Sequence, residues 1–264
     1  MGALTPAAVT IEPTKSATPP ESSAPVVLFT VANGVLAPVV CLAGAKVLES
    51  ANPECIGLVP RGANVWLDNG KLVPLGATTE AACRGGSNST FEGRGIEPSA
   101  LEKANYAIWP ESAHHLVVAD GANLTPTAAE AAAMVTLLKD EWSEGADSEP
   151  KLETTSGLTV DVDGDGTIDR IFAAHDSARL YGLIAAFLGK TPKTPVALSV
   201  GQFNHPRLLG STDLDGKPGR EVWFESTFVE GLEGGVVASG TSQSVIALRA
   251  GKPTPLGSWG CRFF

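Results

Sequence analysis

The sequence is short of positive charge. Its 19 lysine and arginine residues stand against 29 aspartate and glutamate residues, so the formal net charge is −10 at pH 7. Such an excess repels the phosphates of nucleic acids and of anionic membrane surfaces, and no nucleic-acid partner is expected. The chain also has only two methionines but 29 glycines and 19 prolines. Frequent turn residues favour many short strands over long helices.

Recognisable catalytic motifs are also missing. The sequence has four histidines, His114, His115, His175 and His205. None of them has the HExxH spacing of a metalloenzyme, and neither a GxSxG nucleophile elbow nor a GxxxxGK[ST] phosphate loop occurs. A surface or core role is expected for each histidine. No catalytic residue is therefore assigned, and a non-enzymatic role is favoured.

Cysteine is scarce and never paired at CxxC spacing, which disfavours a zinc knuckle or a redox pair. Two disulfides fit better than four buried free thiols. Of the three possible pairings we favour Cys41 with Cys55, which closes a short local loop, and Cys83 with Cys261, which pins the C-terminal end. Disulfides predict an extracellular or periplasmic location, although no export signal with a basic start and an apolar core is visible in this chain.

A long uncharged run, residues 26–44, is about as long as a membrane span. Its middle holds Asn33-Gly34, the strongest short-range hairpin signal, so we predict two buried strands and no membrane insertion. Asn69-Gly70 predicts a second hairpin in the same way. Residues 83–95 are polar and rich in glycine and predict a loop, and further strands are expected on either side of 110–114.

One amphipathic helix is predicted at about 126–142. Thr127 and Glu130 have the spacing of a capping box, and Met134 and Leu138 lie four residues apart on a face that can pack against a sheet. Around it the chain divides into three parts. These are a disordered tether rich in Pro, Ala, Ser and Thr (1–24), a β-rich part that carries the helix (25–149), and a pair of β repeats with Asp-rich loops (150–264).

The repeats emerge when the chain is compared with itself. An offset of 52 residues aligns Asp161 with Asp213 and Phe172 with Phe224. The apolar segments PVAL from residue 195 and VIAL from residue 245 are aligned as the closing strands of the two units, after a small deletion. Two such units predict adjacent members of a β array.

The segment DVDGDGTID is the sharpest chemical signal in the chain. Calcium takes six to eight oxygen ligands, and a short loop supplies them from alternate positions around a tight turn. The predicted ligands are Asp161, Asp163, Asp165, the carbonyl of Thr167, and Asp169. An EF-hand would continue with a bidentate Glu at position twelve and a helix, whereas here that position is Phe172 in a strand pattern. A merely acidic turn is disfavoured because four neighbouring carboxylates repel one another.

The second Asp-rich segment offers Asp213, Asp215 and Glu221, but Lys217 replaces the ligand at position five. Its ammonium could neutralise these carboxylates without a metal. One calcium ion is therefore predicted, in the first segment only.

The pattern D-x-D-x-D-G-x-x-D followed by a strand resembles the calcium loops of integrin-type β-propellers, the FG-GAP and VCBS-like repeats of secreted and cell-surface proteins. The resemblance covers residues 150–264. It implies a mainly β fold, a small or partial propeller-like repeat array with one amphipathic helix, in which the metal stabilises a hairpin turn. The alternative is an α+β or β-sandwich fold with two propeller-like hairpins.

These features predict a secreted or periplasmic, calcium-stabilised β-repeat protein that acts as a binding or surface-assembly module. Its partner would be a protein or a glycan, and its oligomeric state is open. The alternative is an extracellular hydrolase with a structural calcium site. A pocket lined by perturbed carboxylates or histidines would favour the hydrolase.

Overall fold

A computed structural model describes residues 24–83, 90–118, 124–141, 150–176, 180–189, 194–231 and 237–263. Within these ranges the fold is mainly β and consists of three antiparallel sheets with two helices. The mainly β prediction is therefore confirmed. The predicted tether lies outside the described residues except for Ala24, as do most of the polar loop after Cys83 and residues 142–149.

The first sheet curls into a half-barrel. Its strands are β1 (Val26–Ala32), β2 (Val35–Ala43), β3 (Lys46–Leu48), β4 (Asn64–Leu67), β5 (Leu72–Pro74), β6 (Thr78–Ala82), β7 (Thr90–Gly95) and β8 (Tyr106–Trp109). They are ordered β5-β4-β8-β1-β2-β7-β6, and β3 pairs with β2.

Each of the other two sheets contains a meander of four strands in which neighbours in sequence are neighbours in space, and the third sheet has a fifth strand at its edge. The second sheet contains β10 (Glu153–Val160), β11 (Asp169–Asp176), β12 (Tyr181–Phe187) and β13 (Val196–Gly201). The third contains β14 (Asn204–Thr212), β15 (Glu221–Gly231), β16 (Val237–Arg249) and β17 (Lys252–Phe263), with β9 (Val117–Val118) added beside β14. The helices are α1 (Pro53–Gly57) and α2 (Ala128–Glu141), and short 3-10 turns cover Pro98–Leu101 and Glu111–Leu116.

Both predicted hairpins are confirmed. β1 and β2 pair across Asn33 and Gly34, which adopt φ angles of 47° and 81°, as a tight hairpin turn requires. β4 and β5 pair across Asn69-Gly70. The register between β1 and β2 shifts at Leu28/Phe29, where Pro38 lies opposite Phe29, because a bulge accommodates a residue that cannot donate to the ladder.

The prediction of a loop over 83–95 is wrong for its last part, because residues 90–95 form strand β7. This strand pairs with β6 along its length and with β2 at Val35 and Leu36. The glycines favoured a loop, but Arg94 stabilises the strand from inside. Its buried guanidinium donates to the carbonyl oxygens of Val59 at 2.6 Å and Gly76 at 2.9 Å.

The three sheets stack face to face with the third sheet in the middle. Alternate residues of β15 face opposite neighbours, as the period of a strand dictates. Trp223 packs with Leu28 and Ile108 of the first sheet, whereas Val222 and Phe224 pack against the second sheet. At these residues of β15 the middle sheet is thus buried on both faces.

The long helix begins and packs as predicted. The Thr127 backbone N–H donates to Glu130 Oε2 at 2.7 Å, and the Glu130 N–H donates to Thr127 Oγ1 at 3.3 Å, which together form the capping box. Met134 and Leu138 are buried against the outer face of the second sheet. The helix is described from 128 to 141, so the predicted end at Trp142 lies outside the described residues.

Both predicted disulfides are present. Cys41 bonds to Cys55 and thereby ties β2 to α1, a short helix that the sequence analysis missed. Cys83 bonds to Cys261 across 178 residues and ties the first sheet to the third. Chain-entropy arguments assign about 3 kcal/mol to a loop as short as the first and about 5 kcal/mol to one as long as the second.

The internal repeat is confirmed at the two hairpins that carry the Asp-rich loops. Val160 pairs with Asp169 in the β10–β11 hairpin, and Thr212 pairs with Glu221 in the β14–β15 hairpin, so the offset of 52 holds for the strand register. The alignment of PVAL with VIAL is wrong, since PVAL lies in the fourth strand of its sheet and VIAL in the third. The second unit has longer central strands, which displaces all later positions.

Candidate metal centre

The first Asp-rich loop joins β10 to β11 and brings three carboxylates together. Oxygen atoms of Asp161, Asp163 and Asp169 all lie within 4.8 Å of one another. Of the other predicted ligands, Asp165 is exposed at the turn and does not belong to this group of side chains, and Thr167 was predicted to contribute its backbone carbonyl. Their role as ligands stays a prediction.

Backbone amides shape this loop. Asp161 accepts hydrogen bonds from the amides of Gly164 at 2.8 Å and Gly166 at 2.9 Å. Both glycines have positive φ angles, 76° and 82°, which lets the chain curl around the Asp161 carboxylate. At the end of the loop Asp169 is buried and accepts from the amides of Val162 at 2.8 Å and Gly189 at 2.7 Å.

None of the three converging aspartates, Asp161, Asp163 and Asp169, forms an ion pair with a lysine or arginine among the described residues. Burial raises the pKa of Asp163, and repulsion from the surrounding aspartates acts in the same direction, against a hydrogen bond from the Asp165 amide. A converging set of hard oxygen donors with unbalanced charge fits a hard cation such as calcium or magnesium. The three aspartates thus form a possible metal-binding group.

The second Asp-rich loop joins β14 to β15 and repeats this design with a different source of positive charge. Glu221 takes the place of Asp169, is fully buried, and accepts from the Thr212 hydroxyl at 2.7 Å and the Leu214 amide at 2.9 Å. The Arg249 guanidinium lies 2.8 Å from Asp215 and 3.1 Å from Glu221. It therefore bridges the two carboxylates.

Arg249 also stabilises the backbone of this loop. Its guanidinium donates to the carbonyl oxygens of Pro218 at 3.0 Å and Gly219 at 3.2 Å. Lys217, predicted to neutralise the loop, does approach Asp215, but at 3.7 Å and with a largely exposed side chain. Arg249 is thus the principal cation of the second loop, and Lys217 is secondary.

The pKa values of the two bridged carboxylates are shifted in opposite directions. Burial raises the pKa of Glu221 to about 7, and repulsion from Asp215 adds to this, although hydrogen bonds from Thr212 and Leu214 oppose it. Burial acts on Asp215 too, but the hydrogen bond from the Lys217 amide and the charge of Arg249 hold the pKa of Asp215 below its usual range. Asp215 is therefore the more strongly acidic carboxylate of the pair.

The two loops touch each other through their glycines. The Arg220 amide donates to the Asp161 carbonyl at 2.9 Å. A Cβ atom added to Gly164 would lie 2.5 Å from the Gly219 nitrogen, and one added to Gly219 would lie 2.5 Å from the Val162 carbonyl oxygen. Only glycine fits such an approach, so the two loops are in direct backbone contact.

Sequence reasoning missed Arg249 and the contact between the loops. Arg249 is 28 residues beyond Glu221, at the end of β16. No local motif marks it, because its partners are brought near only by the pairing of β15 with β16. The glycine pattern of the second loop was visible, but nothing in it indicated which segment would pack against it.

A cleft lies between the first and third sheets, and Thr155 and Ser156 of β10 also line it. It has two adjoining chambers of about 530 and 280 Å³ that share Thr30, Val31, Glu225 and Gln243. Arg207 forms an ion pair with Glu225 at 2.7 Å on one side. The lining of the larger chamber is mainly polar and that of the smaller one mainly apolar, and the two include the aromatic residues Tyr106, Trp223 and Trp259.

The carboxylates of the cleft already have partners. Asp68 accepts hydrogen bonds from the Asn105 amide at 2.9 Å and the Asn105 side chain at 3.0 Å. Burial raises the pKa of Tyr106 to about 12, with a further contribution from Asp68. No histidine lines the chambers among the described residues.

These observations define a class: a mainly antiparallel β protein of three stacked sheets, cross-linked by two disulfides and carrying a three-aspartate group at a hairpin loop. No family model, no curated protein and no solved structure matches the chain. No propeller is identified among the described residues. The disulfides indicate an oxidising environment, and no described helix has the length and apolar character needed to cross a membrane.

Proposed function

We propose that this protein is an extracellular or periplasmic binding module whose β-repeat half is a partial propeller-like array stabilised by one calcium ion. Asp161, Asp163 and Asp169 hold the ion, and Asp165 and the Thr167 carbonyl complete its oxygen shell. The second loop stays free of metal because Arg249, helped by Lys217, balances its charge.

The observation that carries this proposal is the difference between two loops with the same backbone design. In the second loop a guanidinium bridges Asp215 and Glu221, whereas in the first the corresponding acidic group has no such partner among the described residues. A charge that one repeat balances with arginine calls for a cation in the other. Calcium suits the site since it accepts six to eight oxygen ligands in flexible geometry.

The binding role is supported by the cleft between the first and third sheets. None of the three converging aspartates lines it, so the metal would stabilise the scaffold and not the ligand. The polar lining of its larger chamber and its paired charges suit a protein segment or a glycan. Asp68 accepts hydrogen bonds and Glu225 forms an ion pair, so neither carboxylate is free to act as an acid or base. No histidine lies in the described lining. We therefore favour binding over hydrolysis.

The calcium proposal is tested by thermal unfolding of the full, oxidised chain in chelator and in excess calcium. At free calcium a hundredfold above the dissociation constant, the free energy of unfolding should rise by about 2.7 kcal/mol. Asp163→Asn should abolish this gain. Asp213→Asn, at the position equivalent to Asp161 in the second loop, is the matched control and should keep it. Identical melting curves in chelator and calcium would refute the proposal.

The binding proposal is tested with a glycan array and a peptide array, each probed with the full chain. Arg207→Ala removes the ion pair at the rim of the cleft and should reduce any signal, whereas Lys46→Ala, on an exposed ion pair elsewhere, should not. A ligand whose signal is unchanged by Arg207→Ala would place binding outside the cleft.

A further inference from the structure

Four side chains form a continuous row across the third sheet, on the side that faces the cleft. Arg207 of β14 pairs with Glu225 of β15. Glu225 pairs with Gln243 of β16, which in turn pairs with Trp259 of β17. All four residues line the chambers of the cleft. Because neighbouring strands lie about 4.8 Å apart, this cleft row is about 14 Å long and runs across the strands.

The cleft row marks the boundary between the covered and the open part of this sheet face. Glu225 and Trp223 are two residues apart on β15, so their side chains point to the same side of the sheet. Trp223 is buried against the first sheet. The side chains of Glu225 and Arg207, in contrast, are 35% and 62% exposed. A ligand can therefore lie along the row without separating the two sheets.

Polar atoms along the row lack hydrogen-bond partners. Gln243 Oε1, Trp259 Nε1 and the neighbouring Trp223 Nε1 make no hydrogen bond among the described residues, although all three atoms are buried. The first is an acceptor and the other two are donors. Leaving such groups unpaired costs free energy. A hydroxyl group is both a donor and an acceptor, so a ligand rich in hydroxyl groups can satisfy both kinds of atom.

Three backbone amides of the cleft lining are already paired, which disfavours a peptide strand. The Val31 amide donates to the Asn105 carbonyl oxygen at 2.9 Å, and the Asn105 amide donates to Asp68 Oδ1 at 2.9 Å. The Leu208 amide donates to Ser156 Oγ at 2.8 Å. A peptide that extends a sheet binds through the unpaired amides and carbonyls of an edge strand, and these amides cannot serve that purpose.

The charges of the cleft favour a neutral ligand. Among the described residues its lining contains one cation, Arg207, and two carboxylates, Glu225 and Asp68. Arg207 pairs with Glu225, and Asp68 accepts a hydrogen bond from the Asn105 side chain. The small excess of negative charge opposes an anionic ligand.

An aromatic side chain ends the row. Trp259 is half-buried on β17, the edge strand of the third sheet, and makes an edge-to-face contact with Phe91 at 5.3 Å. The face of an aromatic ring is negatively polarised. Such a face packs well against the C–H face of a sugar ring, so Trp259 suits the last unit of a sugar chain.

We propose that the cleft binds an extended, neutral oligosaccharide whose sugar units lie along the cleft row. The inference rests on the binding role proposed above and names the ligand class. In a β-1,4-linked chain each pyranose is about as long as the spacing between strands, so successive units meet successive side chains of the row. A peptide has side chains on one face only about every 6.7 Å and does not keep this register.

The test is isothermal titration of the full, oxidised chain, in excess calcium, with the β-1,4-linked hexasaccharides of glucose, mannose and N-acetylglucosamine. At least one of them should bind. Maltohexaose, a neutral chain of the same length whose α-1,4 links make it curl, should bind more weakly. Within the series that binds, affinity should rise with length up to about four units and then stay constant, because the row is about 14 Å long.

Variants of the row locate the bound sugar. Gln243→Ala should raise the dissociation constant by about 2–10-fold, the loss expected for one hydrogen bond. Trp259→Phe keeps an aromatic ring without the N–H group and should have a similar effect. Trp259→Ala also removes the ring face and should raise the dissociation constant by about 30-fold. Gln202→Ala, which removes an exposed glutamine between β13 and β14, is the matched control and should keep full affinity.

The outcomes separate this inference from the proposed function. Sugar binding that neither Gln243→Ala nor Trp259→Phe weakens would overturn the inference. A peptide signal that Arg207→Ala abolishes, together with no binding of any hexasaccharide, would also overturn it but would leave the proposed binding function standing. A chain that binds neither sugars nor peptides would refute both.

Discussion

The two Asp-rich loops share a scaffold and differ in how they handle charge. In both, a buried carboxylate at the end of the loop accepts a hydrogen bond from the backbone amide seven residues earlier. Val162 donates to Asp169 in the first loop, and Leu214 donates to Glu221 in the second. In the second loop Arg249 then bridges Glu221 and Asp215. In the first, three carboxylates converge without an ion pair among the described residues.

The difference teaches that one hairpin design can carry an acidic loop with or without an internal cation. In the second loop Arg249 of β16 supplies that cation. On the calcium proposal, the first loop would depend on an ion from solution. Because the loops touch at Gly164 and Gly219, loss of that ion is expected to affect both loops.

The largest expected effect comes from removing the internal cation. Arg249→Met leaves buried Glu221 and Asp215 without their counter-charge, and breaking a buried ion pair in this way costs about 3–5 kcal/mol. Urea unfolding measures the loss. Arg207→Met is the control, because its ion pair with Glu225 is largely exposed and should contribute no more than about 1 kcal/mol. Equal losses of unfolding free energy in both variants would show that the ion pairs of Arg249 contribute no more than an exposed ion pair.

The contact between the loops is tested with two glycines of similar φ angle. Gly166→Ala places alanine at 82° with open space around its Cβ, and should cost about 1–2 kcal/mol from the backbone alone. Gly164→Ala adds a clash with the Gly219 backbone, which should cost about 1–3 kcal/mol more. Equilibrium unfolding compares the two. If both variants lose the same amount, the loops are not in close contact in solution.

The charge pair of the second loop makes stability depend on pH. The pKa of Glu221 is raised from 4.5 to about 7 on folding, so its contribution is fully present below pH 4.5 and is lost as pH rises through about 7. Glu221→Gln cannot titrate. Relative to this variant, wild type should lose up to about 3 kcal/mol between these pH values.

Unfolding free energies measured across that range provide the check. Asp215, whose pKa is lowered from 3.8, titrates below the window and does not interfere. Parallel pH profiles for the wild type and Glu221→Gln would contradict the raised pKa.

The smallest effect is expected at Lys217. Its side chain is 55% exposed and 3.7 Å from Asp215, so Lys217→Ala should cost less than about 1 kcal/mol. Lys217→Asp gives the second loop a carboxylate at the position that Asp165 occupies in the first loop. Titration calorimetry should still give one calcium per chain, because Arg249 remains. A second calcium in Lys217→Asp would show that Lys217, and not Arg249, excludes the metal.

Local patterns predicted local structure well. Asn33-Gly34 and Asn69-Gly70 formed hairpins, Thr127 and Glu130 formed a capping box, and both disulfides joined the expected cysteines. Each depends on residues that are close in sequence or, for the cysteines, on a choice among few pairings. The strand β7 was missed because its glycines suggested a loop, whereas buried Arg94 and the pairing with β6 decided its structure.

The acidic site was predicted in part for the same reason. Asp161, Asp163 and Asp169 lie in one turn, and their spacing already implied that they converge. Arg249 and the cleft row from Arg207 to Trp259 could not be found this way. Their partners come from other strands.

The amino-acid sequence by itself determined the turns, the helix cap, the disulfide pairs and the three-aspartate group, because each follows from bonds and sterics within a short stretch of chain or from a small set of choices. Only the tertiary structure decided the stacking of the sheets, the cation at the second loop, the contact of Gly164 with Gly219 and the cleft row from Arg207 to Trp259. Those depend on which apolar faces bury each other, and a strand's alternation of side chains shows that it has a buried face without naming the sheet that covers it.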